Sequence, residues 1–306
     1  MSHLPFQLGS TFCNISQTVE QSLGVIGAPV DCATSFRSGA RMAPLAIRQA
    51  SLMLTDGEHE LYPHDLKQWV QDLGNIDLPT GNTIEMLTRL EQTFDALHHM
   101  HIATIGGDHS ITLGILRSLA KKHGPMALVH FDAHCDTWTD HFGQPYGHGT
   151  WLYNAINENL IDPSHAISIG IRSPADKVSR SFLSNQGGRT ISAREAMKCS
   201  PDLMISAIRA KIQDKPCYLS LDIDCLDPTY APGTGTPEIG GLSSIWLQEV
   251  IDEMYWVNWV GMDCVEVCPP YDHGEITSLA ASTFVWQYLS MNIDRKFIKK
   301  STSKRK

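Results

Sequence analysis

Along this chain, short apolar runs alternate with longer stretches in which apolar residues recur every three or four positions. Residues 24–28 read as a buried strand, followed by a loop holding Pro29, Asp31, Ser35, Gly39 and Pro44. Asn82 is placed to cap a helix, with Glu85 three residues on and Leu87, Leu90, Phe94 and Leu97 as its apolar stripe. Residues 102–105 predict the next strand, which runs into Gly106-Gly107-Asp108-His109. A helix through Leu113, Leu116 and Leu119 then stops at Gly124-Pro125. Val129-His130-Phe131 and residues 167–171, 217–221 and 260–267 read as further strands. Ser200-Pro201-Asp202 opens a helix with a cap, a proline and a first-turn acid, and residues 242–254 predict another.

Alternation of this kind predicts an α/β fold around a mainly parallel sheet covered on both faces. Ligands of such sheets bind beyond the carboxyl ends of the strands. Every polar cluster of the chain falls at such an end: His109, residues 132–136, residues 222–224 and Glu266. With 306 residues, 42% of them hydrophobic, and no repeat, linker or break in composition, we expect one domain over 1–306.

The acidic clusters carry the chemistry. Asp132-Ala133-His134-Cys135-Asp136 and Asp222-Ile223-Asp224 place five possible metal ligands at alternating positions, the spacing that aims side chains one way in an extended strand. Carboxylates at the end of a core strand are costly to bury alone, so cations are their natural partners. Surface turns often hold one Asp-x-His-x-Asp, but here two strand-end clusters join Gly-Gly-Asp-His at a third. His109, Asp132, His134, Asp136, Asp222 and Asp224 form an oxygen-dominated set that suits Mn²⁺ better than a structural zinc, although other divalent ions can share it. Its four carboxylates balance two divalent ions, and six ligands for two ions require bridging at about 3.5–4 Å. Asp108 reads as a supporting or helix-start acid and Cys135 as a packing residue turned away from the metals.

Charge and cysteine usage narrow the class. The net charge of −9 argues against a nucleic-acid surface and lends no support to anionic membrane binding. No secretory signal is visible and no apolar run approaches the ~20 residues of a membrane span. The eight cysteines form no disulfide framework, so a reduced, cytoplasmic protein is expected. The basic segment 296–306 reads as a solvated end.

These motifs resemble those of the ureohydrolases, the arginase/agmatinase family, and most closely agmatinases. The matching residues are Gly106-Gly107-Asp108-His109-Ser110, residues 130–137, residues 220–228, Ala231-Pro232-Gly233-Thr234-Gly235-Thr236-Pro237, Gly240-Gly241-Leu242, and Met262-Asp263 to Glu266-Val267. Residues 31–48 fit as well. The resemblance implies a three-layer α/β/α arginase-like fold, two Mn²⁺ per subunit, and release of urea from a small guanidino substrate. His109 and Asp136 would complete one metal's shell and His134 and Asp224 the other's, with Asp132 and Asp222 shared. It also implies a homo-oligomer, a trimer or hexamer. Residues 233–237 lack the Gly-Lys-Ser/Thr of a phosphate loop and read as a rigid loop shaping the pocket.

Such a centre would lower the pKa of a bridging water, whose hydroxide attacks the guanidinium carbon. Glu266 is the expected carboxylate for the planar guanidinium, with a buried structural glutamate as the alternative. Asp136 can also orient the hydroxide. His148, in Gly147-His148-Gly149-Thr150, matches the family's proton-shuttle position; His141 is its neighbour and competitor. Arginases usually place Asn where Trp138 stands, which argues against arginine. No cationic residue is evident near the site, favouring an amine tail and hence agmatine, cleaved to putrescine and urea. Guanidinobutyrate or guanidinopropionate is the alternative substrate, and an inactive metal-binding paralogue the remote one. Many agmatinases have Asp where Gly147 stands, leaving Asp140 as a candidate for the amine.

Overall fold

The computed structural model describes residues 10–15 and 21–295, so the basic segment 296–306 lies outside the described residues. Eight strands among them form one sheet: β1 (Leu23–Gly27), β2 (Val70–Asn75), β3 (His101–Ile105), β4 (Met126–Phe131), β5 (Ile161–Ile171), β6 (Arg189–Ser192), β7 (Cys217–Asp222) and β8 (Trp259–Val265). All neighbours run parallel, in the order β2-β1-β3-β8-β7-β4-β5-β6. The helices are α1 (Ala43–Ala50), α2 (Thr83–Ala96), α3 (Ile111–His123), α4 (Trp151–Asn157), α5 (Lys177–Asn185), α6 (Ala193–Ala196), α7 (Pro201–Ile212), α8 (Ser244–Asp252) and α9 (Ile276–Ile293).

Two cores follow from strand alternation. In β4, Ala127, Val129 and Phe131 join the layer that holds Ile47, Ile208, Val250 and Val285 of α1, α7, α8 and α9. Met126 and Leu128 join the opposite layer, with Leu87, Leu116, Leu152 and Leu183 of α2, α3, α4 and α5. Because both faces are covered, β1, β4, β7 and β8 are buried along their whole length, as near-continuous apolar runs require. No helix among the described residues is long and apolar enough to cross a membrane.

Some elements differ from the periodicity. The helix expected over residues 242–254 begins only at Ser244. Leu242 is spoken for by the loop, donating its N–H to Cys225 and accepting from the N–H of Asp227, and Ser243 caps the helix. α9 shows no stripe in the sequence because it is buried nearly all round. β2 hides behind its polar residues: its buried Asp72 answers Arg48 of α1 through Nε and Nη2, both at 2.8 Å. Asp72 also accepts from the backbone N–H of Phe12 at 2.7 Å.

Gly107 lets three chain segments meet at the strand ends. Its N–H donates to Ala28 and its carbonyl accepts from Glu266, while a Cβ there would stand 2.0 Å from the carbonyl oxygen of Val30. The loop after β1, the end of β3 and the end of β8 are thus knitted together where His109 and Glu266 begin.

Removing Asp72 would leave the Arg48 guanidinium buried without its countercharge. Asp72→Ala is expected to lower unfolding stability by about 3–5 kcal/mol in a urea titration, and a change under about 1 kcal/mol would show the pair to be dispensable.

Candidate active site

The central strands β3, β8, β7 and β4 are neighbours in the sheet. Their carboxyl ends deliver His109, Glu266, Asp222 with Asp224, and Asp132 with His134 and Asp136 to one place. The alternating spacing is achieved differently from an extended strand. β4 ends at Phe131, and residues 223–225 form a 3-10 turn. In each segment the first aspartate folds back onto the N–H two residues on: Asp132 Oδ1 accepts from His134 at 2.6 Å and Asp222 Oδ1 from Asp224 at 2.8 Å. One local device, used twice, turns alternate side chains inward.

His109 is buried. Its Nε2 meets Ser220 Oγ at 2.8 Å, and that hydroxyl donates to Asp263 at 2.8 Å, so Nε2 carries the proton. Thr112 and Tyr218 hydroxyls hold the other oxygen of Asp263. Nδ1 of His109 then faces carboxylate oxygens of Asp132, Asp136 and Asp222 at 3.2, 3.1 and 3.1 Å. A single proton on Nδ1 cannot serve three oxygens, whereas a cation among the four atoms serves all of them. A second group lies beside it: His134 Nδ1 is 3.3 Å from Asp132 Oδ1 and 3.1 Å from Asp224 Oδ2. Asp132 belongs to both groups, one oxygen in each.

The electrostatics agree with a cation site. Burial, then the charges of Asp224 and Asp132, push Asp222 well above the ordinary carboxylate range. Burial works against charge on His109, but hydrogen bonds accepted by Asp132, Asp136 and Asp222 outweigh it and hold the imidazole well above its usual pKa. Without metal, protons occupy this site in place of cations.

Glu266 closes one side. Its Oε1 accepts from His109 N–H at 2.9 Å and pairs with His148 Nδ1 at 2.8 Å. Its Oε2 is buried without a partner, on the wall of a cavity of about 410 Å³ that also exposes His109, His134, Asp136, His148 and Asp222. Asp136 and Glu266 both hold left-handed backbone, φ 51° and 64°, a conformation that non-glycine residues adopt rarely.

The model of the Arginase family matches residues 21–290. The chain belongs to the arginase family. It is thus a hydrolase of carbon–nitrogen bonds in linear amidines. An agmatinase of Klebsiella pneumoniae is 42% identical over 278 residues, covering 89% of this chain and 88% of that protein. A hypothetical agmatinase from Burkholderia thailandensis superposes with a TM-score of 0.87 at 35% identity, over 94% of this chain and 90% of its own. Proclavaminate amidino hydrolase from Streptomyces clavuligerus reaches 0.86 at 35% identity, over 94% and 98%. An arginase-family fold therefore accounts for the strand-end clusters, while the two structures name different substrates.

The structure adds residues to the metal-ligand cluster and its cavity that spacing did not mark. His130, two residues before Asp132 on the same strand face, sits 2.8 Å from Asp132 Oδ2; period two was the available signal. Ser35, Arg37, Ser173 and Glu238 reach the cavity from loops that become neighbours only on folding. Arg37 corrects the expectation that no cation stands near the site. Asp140, expected as a candidate for the amine, is exposed, accepts from Gly143 N–H at 2.7 Å and does not line the cavity. Asp108 is turned to the N–H groups of Ala33 and Ser110. Burial pushes the Cys135 thiol up, keeping it protonated and inert. His141 stacks on Trp138 at 5.2 Å and on His148 at 5.5 Å, and burial, then His148, lowers its pKa.

Burial opposes charge on His148, but Glu266 raises its pKa from 6.5 to about 9. A raised imidazole stabilises the fold fully below 6.5, and the contribution fades as pH climbs through about 9. In metal-free protein, the His148 ring protons are expected to titrate near pH 9 by NMR, and in Glu266→Gln to fall back toward the ordinary imidazole range. An unmoved value would remove Glu266 as the cause.

Proposed function

We propose that this chain hydrolyses agmatine to putrescine and urea in one catalytic domain holding two Mn²⁺. The unpartnered Oε2 of Glu266, buried beside the His109 and His134 groups, carries the assignment. An orphaned carboxylate oxygen at such depth lacks the donors it is shaped for, and a planar guanidinium presents them.

His109, Asp132, Asp136 and Asp222 would hold one ion and Asp132, His134 and Asp224 the other, with Asp132 reaching both groups through its two oxygens and Asp222 the second shared carboxylate that the resemblance implies. Bound there, the ions would acidify a water and so supply the nucleophile near neutral pH. The protein's own residues do the rest. Glu266 accepts guanidinium N–H groups and fixes the plane of the head, and Asp136 orients the attacking oxygen. As the bond between the central carbon and the alkyl nitrogen breaks, the departing amine needs a proton. We assign that proton to His148, whose pKa the neighbouring Glu266 raises. At Nε2 the ring accepts from the Ser35 N–H at 3.1 Å and meets the Ser35 hydroxyl at 2.7 Å, which fixes its orientation.

A guanidino acid such as 4-guanidinobutyrate is the second reading, supported by Arg37 on the cavity wall and by the likeness to an amidino hydrolase. Urea release from Mn²⁺-loaded protein is expected to show the highest kcat/KM with agmatine. A higher value for 4-guanidinobutyrate or 3-guanidinopropionate would overturn that choice. Because Asp132 serves both groups, Asp132→Asn is expected to lower bound manganese from about two ions toward none, while Asp136→Asn loses about one, read by mass spectrometry. Equal retention in the two variants would remove the shared role.

A further inference from the structure

Glu266 accounts for the head of a guanidino substrate, and the same cavity holds one more carboxylate. Asp136, Asp222 and Glu266 face His109 or His148. Glu238, half-buried on the wall, faces neither.

Glu238 is held in place from two directions. Its backbone carbonyl accepts from Arg172 Nη2 at 2.6 Å and Nε at 3.2 Å. The same guanidinium donates to the carbonyls of Asp224 at 2.8 Å and Leu226 at 3.1 Å. One side chain therefore ties the loop of Glu238 to the turn that presents Asp224, so the wall and the centre keep a set separation. The carboxylate itself is steadied by Ser173 Oγ, which donates to Oε1 at 2.9 Å. Loss of rotamer freedom is already settled before a ligand arrives, as an anchoring group requires.

The other charged group on the wall is differently engaged. The Arg37 guanidinium lies over the ring of Tyr271 at 4.9 Å and of Phe36 at 5.4 Å from the centroids. Nearby, Trp138 and His141 stack with an interplanar angle of 9°, giving a flat wall suited to a methylene chain.

We propose that Glu238 is the specificity-determining residue, anchoring a primary ammonium at the far end of the substrate. The cavity then carries a carboxylate for each end of a dication, Glu266 for the guanidinium and Glu238 for the amine. A guanidino acid would set its own carboxylate against Glu238, and that repulsion discriminates without any new contact. The inference rests on amidine hydrolysis in this cavity.

The test compares agmatine, butylguanidine and 4-guanidinobutyrate, which share a head and differ in tail, in wild type, Glu238→Gln, Glu238→Asp and Arg37→Met. The ratio of kcat/KM for agmatine over butylguanidine is read within each protein, so lost folding or metal cancels. It is expected to fall about tenfold or more in Glu238→Gln, mainly through KM, with an intermediate value in Glu238→Asp that keeps the charge. The preference for agmatine over 4-guanidinobutyrate is expected to shrink in the same variant. A ratio unmoved in Glu238→Gln, both substrates falling together, would reduce Glu238 to a loop support and sink the inference alone. A shift seen in Arg37→Met instead would also overturn it. If wild type released urea from none of the three compounds, amidine hydrolysis itself would fall, and the inference with it.

Discussion

Asp132, Asp136, Asp222 and Asp224 stand around two imidazoles with almost no contact to water, and carboxylates in such a place require positive charge between them. Much of the surrounding structure serves that requirement. Ser220 and Asp263 take the outer nitrogen of His109 so that its inner one faces three oxygens. His130 braces Asp132 from behind and in turn bonds Ser168 at 3.0 Å. Trp151 donates from Nε1 to Asp136 at 2.8 Å. Asp132 and Asp136 are thus each aimed by a buried neighbouring side chain.

The fold places this charge where it can be used. Strands β3, β8, β7 and β4 are adjacent, so four chain segments distant in sequence end side by side. At two of those ends the backbone turns left-handed at a non-glycine residue, Asp136 and Glu266. The cost of about 1–3 kcal/mol per such residue is borne by the packed strands beneath. In exchange the carboxylates leave the sheet edge and enter the cavity. The pairing of Glu266 with His148 then links the group proposed to hold a guanidinium to the group proposed to protonate the leaving amine.

Recognition of the tail follows another principle. The centre is built from side chains on rigid strand ends, but the cavity wall comes from loops, where relatives with different substrates differ most freely. Arg172 couples the two parts, since it bonds both the turn of Asp224 and the loop of Glu238. The proposed head and tail subsites thereby share one scaffold.

The layered α/β architecture was legible in the chain because buried parallel strands and amphipathic helices leave distinct local periods, as at residues 102–105 and in the stripe of α2. α9 and β2 escaped, one because it is apolar on every side and the other because its ion pair interrupts the apolar run. The clusters at residues 132–136 and 222–224 were legible because their residue types are unusual for strand ends and their turns are made by bonds two residues long. The partners of those residues were not. That Glu266 keeps a free oxygen and that Arg37 and Glu238 share a wall depend on sheet order and loop convergence. Local spacing specifies which groups a segment can offer; only tertiary packing decides which of them meet.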